Sequence, residues 1–183
     1  MFKNILAFSA LAPLAFGAAA PAQAKALVAY YSAHGGYTAQ VAKTVAQAVG
    51  ADLFVIKPDP DYTDADLDYN DPQSRVSREH ADPSSWEKIP LKQTEPDNFA
   101  EYDTVYLGYP IWWGLAAWPV YSFVAGNDFA GKTIIPFATS YSSPLGTSDV
   151  ELEQKAKGGY WEEGMRFGQT PSESEVTEWA KSY

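Results

Sequence analysis

Residues 26–56 switch between two apolar patterns, and this switching constrains the fold more than any other part of the chain. Residues 26–31 form a continuous apolar run, typical of a strand buried on both faces of a parallel sheet. After a glycine-containing loop, apolar residues recur at helical spacing from Thr38 onward, and Gly50 ends that helix. A second apolar run follows at residues 53–56. The order strand, helix, strand predicts a βαβ unit with a right-handed crossover.

The rest of the chain continues this alternation. Apolar runs predict three more strands, at residues 104–109, 133–138 and 165–167. Helical spacing predicts three more helices, at residues 118–125, 148–157 and 172–182, and one helix near residues 74–80 within the irregular stretch 58–98. Ser148 with Glu151, and Ser172 with Glu175, have the spacing of capping boxes. Together these elements predict a three-layer α/β domain with helices on both faces of the sheet.

The N-terminal 24 residues have the pattern of a secretory signal peptide. Lys3 precedes an apolar stretch at residues 5–20, and Ala22-Gln23-Ala24 is a small-x-small cleavage signal. Pro13 and Gly17 interrupt the stretch, which makes an uncleaved membrane anchor the less favoured alternative. We therefore expect a signal peptide at residues 1–24, a single domain at residues 25–183, and a periplasmic or secreted protein without stable membrane insertion after cleavage.

Charge limits the partners of this domain. The chain has 23 acidic and 13 basic residues, a net charge of −10 at pH 7, and it contains no cysteine. An acidic surface argues against nucleic acid and anionic membranes, and it favours cationic partners or none. Without cysteine, disulfides are impossible, so an oxidising compartment creates no thiol hazard.

The loop between the first strand and the first helix has the composition of a phosphate site. It combines hydroxyls, glycines and a helix N-terminus, where free backbone N–H groups favour an anion. Its candidate binding residues are Ser32, His34, Gly35, Gly36, Tyr37 and Thr38. The loop lacks both the dinucleotide fingerprint and the P-loop ending, so a mononucleotide phosphate fits better. The alternative is a tight turn with Thr38 as helix cap and His34 facing solvent.

Two further loops follow the third and fourth predicted strands. The second loop presents two adjacent indoles on a rigid turn, at residues Pro110, Ile111, Trp112, Trp113 and Gly114. The third loop presents small polar groups and one phenol, at residues Thr139, Ser140, Tyr141, Ser142 and Gly146. Because the carboxyl ends of parallel strands meet at one sheet edge, the three loops predict a site for a phosphorylated flat heterocycle, with FMN as the economical candidate. The alternative is that both tryptophans only cap a core.

Other constellations give no catalytic or metal site. Asp64, Asp66 and Asp68 alternate like calcium ligands, but Tyr69 and Arg75 occupy the positions that an EF-hand reserves for Gly and Glu. No nucleophile elbow is present, which argues against a hydrolase. His80 has no partner pattern and is expected at the surface.

The second loop carries a resemblance to a known family. Gly108-Tyr109-Pro110-Ile111-Trp112-Trp113-Gly114 is similar to the second loop of one branch of flavodoxin-like proteins, and the similarity extends through Tyr30-Tyr31-Ser32, residues 136–140 and residues 164–167. The resemblance implies a doubly wound, five-stranded parallel sheet in order 2-1-3-4-5, with non-covalent FMN that transfers electrons. It also implies that the acidic surface faces a redox partner protein with a basic face.

Two loops differ from the family pattern. The first loop usually reads Ser-x-Thr-Gly-Asn-Thr, whereas here His34 replaces the first Thr and one extra residue precedes Thr38. In the third loop, Tyr141, Ser142 and Pro144 stand at glycine positions. Three hypotheses remain open: an exported electron carrier, a flavin-dependent quinone-type reductase, and a binding protein of the same fold that has lost FMN.

Overall fold

A computed structural model describes residues 24–183, and a parallel sheet forms its centre. The strands are β1 (Ala26–Tyr30), β2 (Asp52–Val55), β3 (Thr104–Trp112), β4 (Leu115–Ala116), β5 (Thr133–Thr139), β6 (Tyr160–Trp161) and β7 (Met165–Phe167). The helices are α1 (Tyr37–Val49), α2 (Arg75–Ala81), α3 (Trp118–Gly126), α4 (Ser148–Glu153) and α5 (Glu173–Ala180). Single 3₁₀ segments occur at Ala33–Gly35, Pro83–Lys88 and Phe99–Glu101.

The strand order confirms the predicted doubly wound topology. The sheet runs β2-β1-β3-β5, and β6 and β7 both pair in parallel with β5 at the far edge. The expected fifth strand is therefore split into two short pieces, of which the sequence indicated only the second. β4 is an addition that pairs antiparallel with the end of β3.

The two faces of the sheet are covered differently. On the first, which we call the α1/α5 face, Val28 of β1 packs among residues of those two helices such as Val45 and Val176. On the second, the α3 face, Leu27 packs in one cluster with Trp118 of α3 and Trp86 of the irregular stretch. β1 is buried on both sides because alternate residues serve alternate faces, which explains its unbroken apolar run.

The structure tests the two predicted helix caps. Ser172 caps α5 as expected, accepting a hydrogen bond from the Glu175 N–H. The prediction for α4 was wrong: Thr147 is its N-cap, and the buried Ser148 hydroxyl instead donates to the Leu145 carbonyl (2.8 Å).

Gly108 occupies its position in the central strand β3 because a Cβ there would lie 2.3 Å from the Phe137 ring.

The predicted signal peptide lies outside the described residues, except for Ala24. Within residues 24–183, no helix has both the length and the apolar character needed to cross a membrane.

Candidate functional site

The sheet brings the three predicted loops to one edge. β1 and β5 both flank β3, with Tyr30 opposite Gly108 and Thr139 opposite Pro110, so all three strands end close together. A direct bond joins the first and third loops, because the buried hydroxyls of Thr38 and Thr139 lie 2.7 Å apart. The sequence-based placement of the loops is therefore confirmed, although the Thr38 hydroxyl is already engaged by the protein.

The first loop presents unpaired backbone donors to this edge. His34 (φ 50°) and Gly35 (φ 68°) adopt left-handed conformations, which turn the chain sharply before Gly36, the N-cap of α1. Within residues 24–183, the N–H groups of Tyr37 and Thr38, at the first turn of α1, donate to no acceptor. Unpaired N–H groups at the positive end of a 13-residue helix have the geometry that an anion requires.

The two tryptophans of the second loop have different environments. Trp112 ends β3, half-buried, with its ring in edge contact with Tyr31 (5.5 Å) and Tyr62 (5.6 Å). Trp113 is 43% exposed and forms, with Gly114, the two-residue turn between β3 and β4. Both turn residues have positive φ, 48° and 82°, as in a type I′ hairpin. Trp113 is unusual in that conformation, so its neighbours must stabilise it.

Those neighbours include a histidine that the sequence did not place in the site. The His80 ring stacks on Trp113 at 4.5 Å with an interplanar angle of 15°, and it lies 5.8 Å from the nearly parallel ring of Trp118. The expectation of a surface His80 without partners was therefore wrong. One signal in the sequence indicated the position of His80, namely the predicted helix at residues 74–80, which ends at this residue.

A charged network on α2 holds Tyr62, one of the rings that contact Trp112. Arg75 Nε donates to Glu79 (2.8 Å), its guanidinium lies 4.0 Å from the Tyr62 ring centroid, and the Tyr62 hydroxyl donates to Glu79. Burial, followed by the hydrogen bond to Glu79, raises the pKa of Tyr62 far above its ordinary range, so the phenol remains a donor at neutral pH. The network fixes the ring that contacts Trp112.

The third loop is held by an arginine from β7. Arg166 donates to the Ser140 hydroxyl (2.8 Å) and to the carbonyls of Ser140 (3.2 Å) and Tyr141 (3.3 Å). Tyr141 itself is 81% exposed, so it does not close the space beside Trp112. Gly146 (φ 63°) lies where a Cβ would be 3.4 Å from the Gly114 carbonyl, which brings the second and third loops into contact.

The three loops surround two adjoining cavities, which we call the three-loop cleft. The first cavity, about 350 Å³, is lined by Ser32, Ala33, Gly36, Tyr37, Thr38, Pro110, Ile111, Trp112, Thr139, Ser140 and Tyr141. The second, about 630 Å³, shares Ala33, Ile111, Trp112, Ser140 and Tyr141 and adds Leu67, Tyr69, Val76, Trp113, Ser142 and Ser143. Their composition, with donors at one end and aromatic faces at the other, suits a phosphorylated flat ligand.

Four predicted binding residues lie apart from this cleft. His34 and Gly35 line a different cavity beside β2, and the His34 ring contacts Asp64 (3.1 Å) of the acidic stretch. Gly114 and Gly146 shape the turns without lining either part of the cleft. Among residues 24–183, no group of acidic and histidine side chains is arranged to hold a metal ion.

Comparisons with known proteins agree with this architecture. A family model described as flavodoxin matches residues 25–183. Two solved structures of candidate flavoproteins are similar: one from Bacteroides uniformis (43% identity, 86% of this chain and 98% of that chain, TM-score 0.78) and one from Bacteroides eggerthii (39%, 87% and 98%, TM-score 0.78). A Lactobacillus acidophilus flavoprotein in complex with FMN shares the fold (20%, 86% and 99%, TM-score 0.57). No curated protein matches.

The family match spans the whole described domain, and the two Bacteroides structures share more than a third of its residues over nearly their full length. The chain therefore belongs to the flavodoxin family.

Proposed function

We propose that this protein binds FMN non-covalently in the three-loop cleft and transfers electrons in the cell envelope. One observation carries the proposal: unpaired N–H groups at the start of α1 and the indole of Trp112 border the same cavity. The FMN-bound structure of the Lactobacillus relative supports this choice of ligand within the same fold. When bound, FMN supplies an acceptor and donor of one or two electrons.

The residues of the cleft divide this task. The N–H groups of Tyr37 and Thr38, with the Ser32 hydroxyl, would hold the phosphate. Trp112 and Trp113 provide apolar faces for the ring, and the polar groups of the third loop, fixed by Arg166, face its edge. Because the first cavity is narrow and the second wide, the phosphate end belongs in the first and the ring in the second.

The altered third loop is compatible with this assignment. The hypothesis of a lost FMN site requires Tyr141 and Pro144 to occupy the place of the ring. Tyr141 instead lies outward, 81% exposed, and the cavity beside it measures about 630 Å³. The open cavity therefore favours flavin binding over loss of the cofactor.

The acidic residues near the cleft support the proposed partner, and the N-terminal residues support the proposed location. Tyr69 and Leu67, which line the wide cavity, belong to the acidic stretch that includes Asp64, Asp66 and Asp68. A partner with a basic face would meet negative charge beside the ring, which increases the association rate. The predicted signal peptide at residues 1–24 supports an envelope location.

Titration of the purified protein with FMN tests the proposal. Quenching of tryptophan fluorescence and a shifted flavin spectrum, at one FMN per chain, are the expected result. Ser32→Ala should weaken binding about fivefold through one lost charge-assisted hydrogen bond, whereas Ser174→Ala, on the exposed surface of α5, should leave it unchanged. A protein that remains colourless and does not quench with FMN would contradict the proposal and favour a binding protein without flavin.

A second candidate function, reduction of quinone-type acceptors, is favoured by the lining of the larger cavity. Leu67 and Tyr69 add apolar and aromatic surface to this cavity of about 630 Å³, against which a planar acceptor would pack. Steady turnover of NADH or NADPH with a quinone by the FMN-loaded protein would support an enzyme. Reduction that stops after one equivalent of flavin would support a carrier.

A further inference from the structure

The third loop folds around the guanidinium of Arg166. This residue lies in β7 beside Ala138 of β5, and its Nε donates to the Ser140 hydroxyl (2.8 Å). One of its terminal nitrogens, Nη2, donates to the carbonyls of Ser140 (3.2 Å) and Tyr141 (3.3 Å). The Ser140 hydroxyl in turn donates to the Ser143 carbonyl. The start of the third loop is thereby fixed relative to β7.

These hydrogen bonds determine the direction in which the peptide groups of the loop face. A trans peptide unit is planar, and its C=O and N–H groups point in opposite directions. The carbonyls of Ser140 and Tyr141 accept from Arg166, so the N–H groups of the same two peptide units point away from the guanidinium. Those N–H groups belong to Tyr141 and Ser142, and within the part of the chain that the structure describes neither donates to an acceptor. Two neighbouring backbone donors are therefore free on the side of the loop opposite Arg166.

That side of the loop borders the three-loop cleft. Tyr141 lines both of its cavities, and Ser142 lines the wider one. Arg166 lines neither of these two cavities, so the loop lies between the guanidinium and the cleft. The cleft thus has a second set of backbone donors, on the loop opposite the start of α1.

The charge of Arg166 has no acidic partner. Among the ion pairs within residues 24–183 none includes Arg166, although the chain has a net charge of −10. The side chain is half-buried, and water screens a half-buried charge less than an exposed one. The positive potential of the guanidinium therefore reaches the cleft through the third loop, where the two free N–H groups add the positive ends of their dipoles.

We propose that Arg166 is a positioning residue that makes the third loop favour reduced over oxidised flavin. The inference rests on the proposed function. Two electrons from the redox partner, with one proton that bonds to a ring nitrogen, convert the bound ring into a monoanion. The N–H groups of Tyr141 and Ser142 donate to the negatively charged polar edge of that ring, and Arg166 holds both groups in place and adds its own charge.

The affinities of Arg166 variants for oxidised and dithionite-reduced FMN test this proposal. The ratio of the two dissociation constants measures the preference for the reduced form. Arg166→Gln should lower this preference about tenfold, which corresponds to a two-electron midpoint potential about 30 mV lower. Arg166→Lys keeps the charge and should lower the preference less than about threefold. Lys181→Gln, which removes a positive charge from the exposed C-cap of α5, should leave it unchanged.

Hydrogen exchange in the flavin-free protein tests the loop by itself. The Ser140 N–H donates to the Phe167 carbonyl (3.3 Å). Its exchange should be at least about tenfold faster in Arg166→Gln, because the loop loses three hydrogen bonds and opens more readily. Near-UV circular dichroism establishes that each variant is folded.

The outcomes separate this proposal from the proposed function. With FMN still bound, an unchanged preference for reduced FMN in Arg166→Gln would overturn this proposal alone. Equal losses in Arg166→Gln and Lys181→Gln, or an unchanged exchange rate of the Ser140 N–H, would also overturn it. A protein that binds FMN in neither oxidation state would overturn the proposed function as well.

Discussion

The two faces of the sheet solve the same packing problem in different ways. The α1/α5 face is covered by two regular helices, which contribute Val41 and Val45, one turn apart in α1, and Val176 of α5. The α3 face is covered by α3, by Leu152 of α4 and by the stretch 58–98, which supplies Tyr62, Trp86 and the His80 ring of the stack with Trp113. Because that stack includes Trp113, packing on the α3 face also shapes the binding site. Stability and ligand affinity should therefore change together on the α3 face and separately on the other.

Trp118→Ala should break the α3 face most severely. Trp118 is fully buried, and its ring stacks on Trp86 at 4.3 Å and lies near the rings of Trp112 and Trp113. Its loss should reduce the free energy of unfolding by about 3–5 kcal/mol and abolish measurable FMN binding. Val45→Ala, on the α1/α5 face, should cost about 2 kcal/mol and leave FMN affinity unchanged. Urea unfolding and FMN titration of both variants check the comparison, which fails if Val45→Ala weakens FMN equally.

Arg75→Met tests the charged network that holds the Tyr62 ring against Trp112. The change leaves the largely buried Glu79 carboxylate without its cation, which should cost about 2–3 kcal/mol of unfolding free energy. Lys155→Met is a matched control, since it removes a cation from an exposed pair with Glu87 and should cost less than about 1 kcal/mol. Denaturant unfolding of both variants gives the comparison, and equal losses would show that burial of the network is unimportant.

Ser172→Ala sharpens the comparison from the other face. It removes a cap that accepts the Glu175 N–H, which should cost about 1 kcal/mol. Thr147→Ala should cost less than about 0.5 kcal/mol, because Thr147 makes no side-chain cap hydrogen bond at α4. Neither change should alter FMN affinity. Thermal unfolding measures both, and a costly Thr147→Ala would contradict the capping assignment.

His80→Ala should have a small effect on stability but a specific effect on the candidate site. Loss of the ring stacked on Trp113 should cost about 0.5–1 kcal/mol and weaken FMN binding about threefold, because the exposed indole loses its backing. His80→Phe keeps a planar ring and should restore both. Near-UV circular dichroism and FMN titration are the measurements, and failure of His80→Phe to restore affinity would exclude stacking as the cause.

The sequence predicted the elements that carry a clear apolar pattern. β1, α1, α3 and β5 fall within one or two residues of their expected limits. α1 buries residues at helical spacing, whereas β1, α3 and β5 are buried almost throughout and therefore appear in the sequence as continuous apolar runs. The capping of α5 was also readable. The N-cap of α4 was predicted wrongly, because the Ser148 hydroxyl contacts the neighbouring Leu145 carbonyl and the distant Tyr109 hydroxyl instead of capping the helix.

The sequence predicted the loops of the candidate site but not the side chains that hold those loops in place. The three loops converge because strand ends in a parallel sheet converge. His80, the Arg75 network and Arg166 act across gaps of 25 residues or more in sequence, or from an irregular stretch, so spacing could not reveal them. His34 and Gly35 lie outside the cleft for a local reason: both adopt positive φ, which turns the chain beside β2.

The irregular stretch begins and ends at the same place. Lys57 and Lys92 are joined by a backbone hydrogen bond, and Pro58 forms a β-bridge with Leu91. The two ends of the stretch therefore lie side by side. The residues between those points form one closed loop that packs on the α3 face through Tyr62, Val76 and Trp86. The part of the cleft lined by Leu67 and Tyr69 therefore cannot be replaced without repacking the α3 face, to which the same loop contributes Val76 and Trp86.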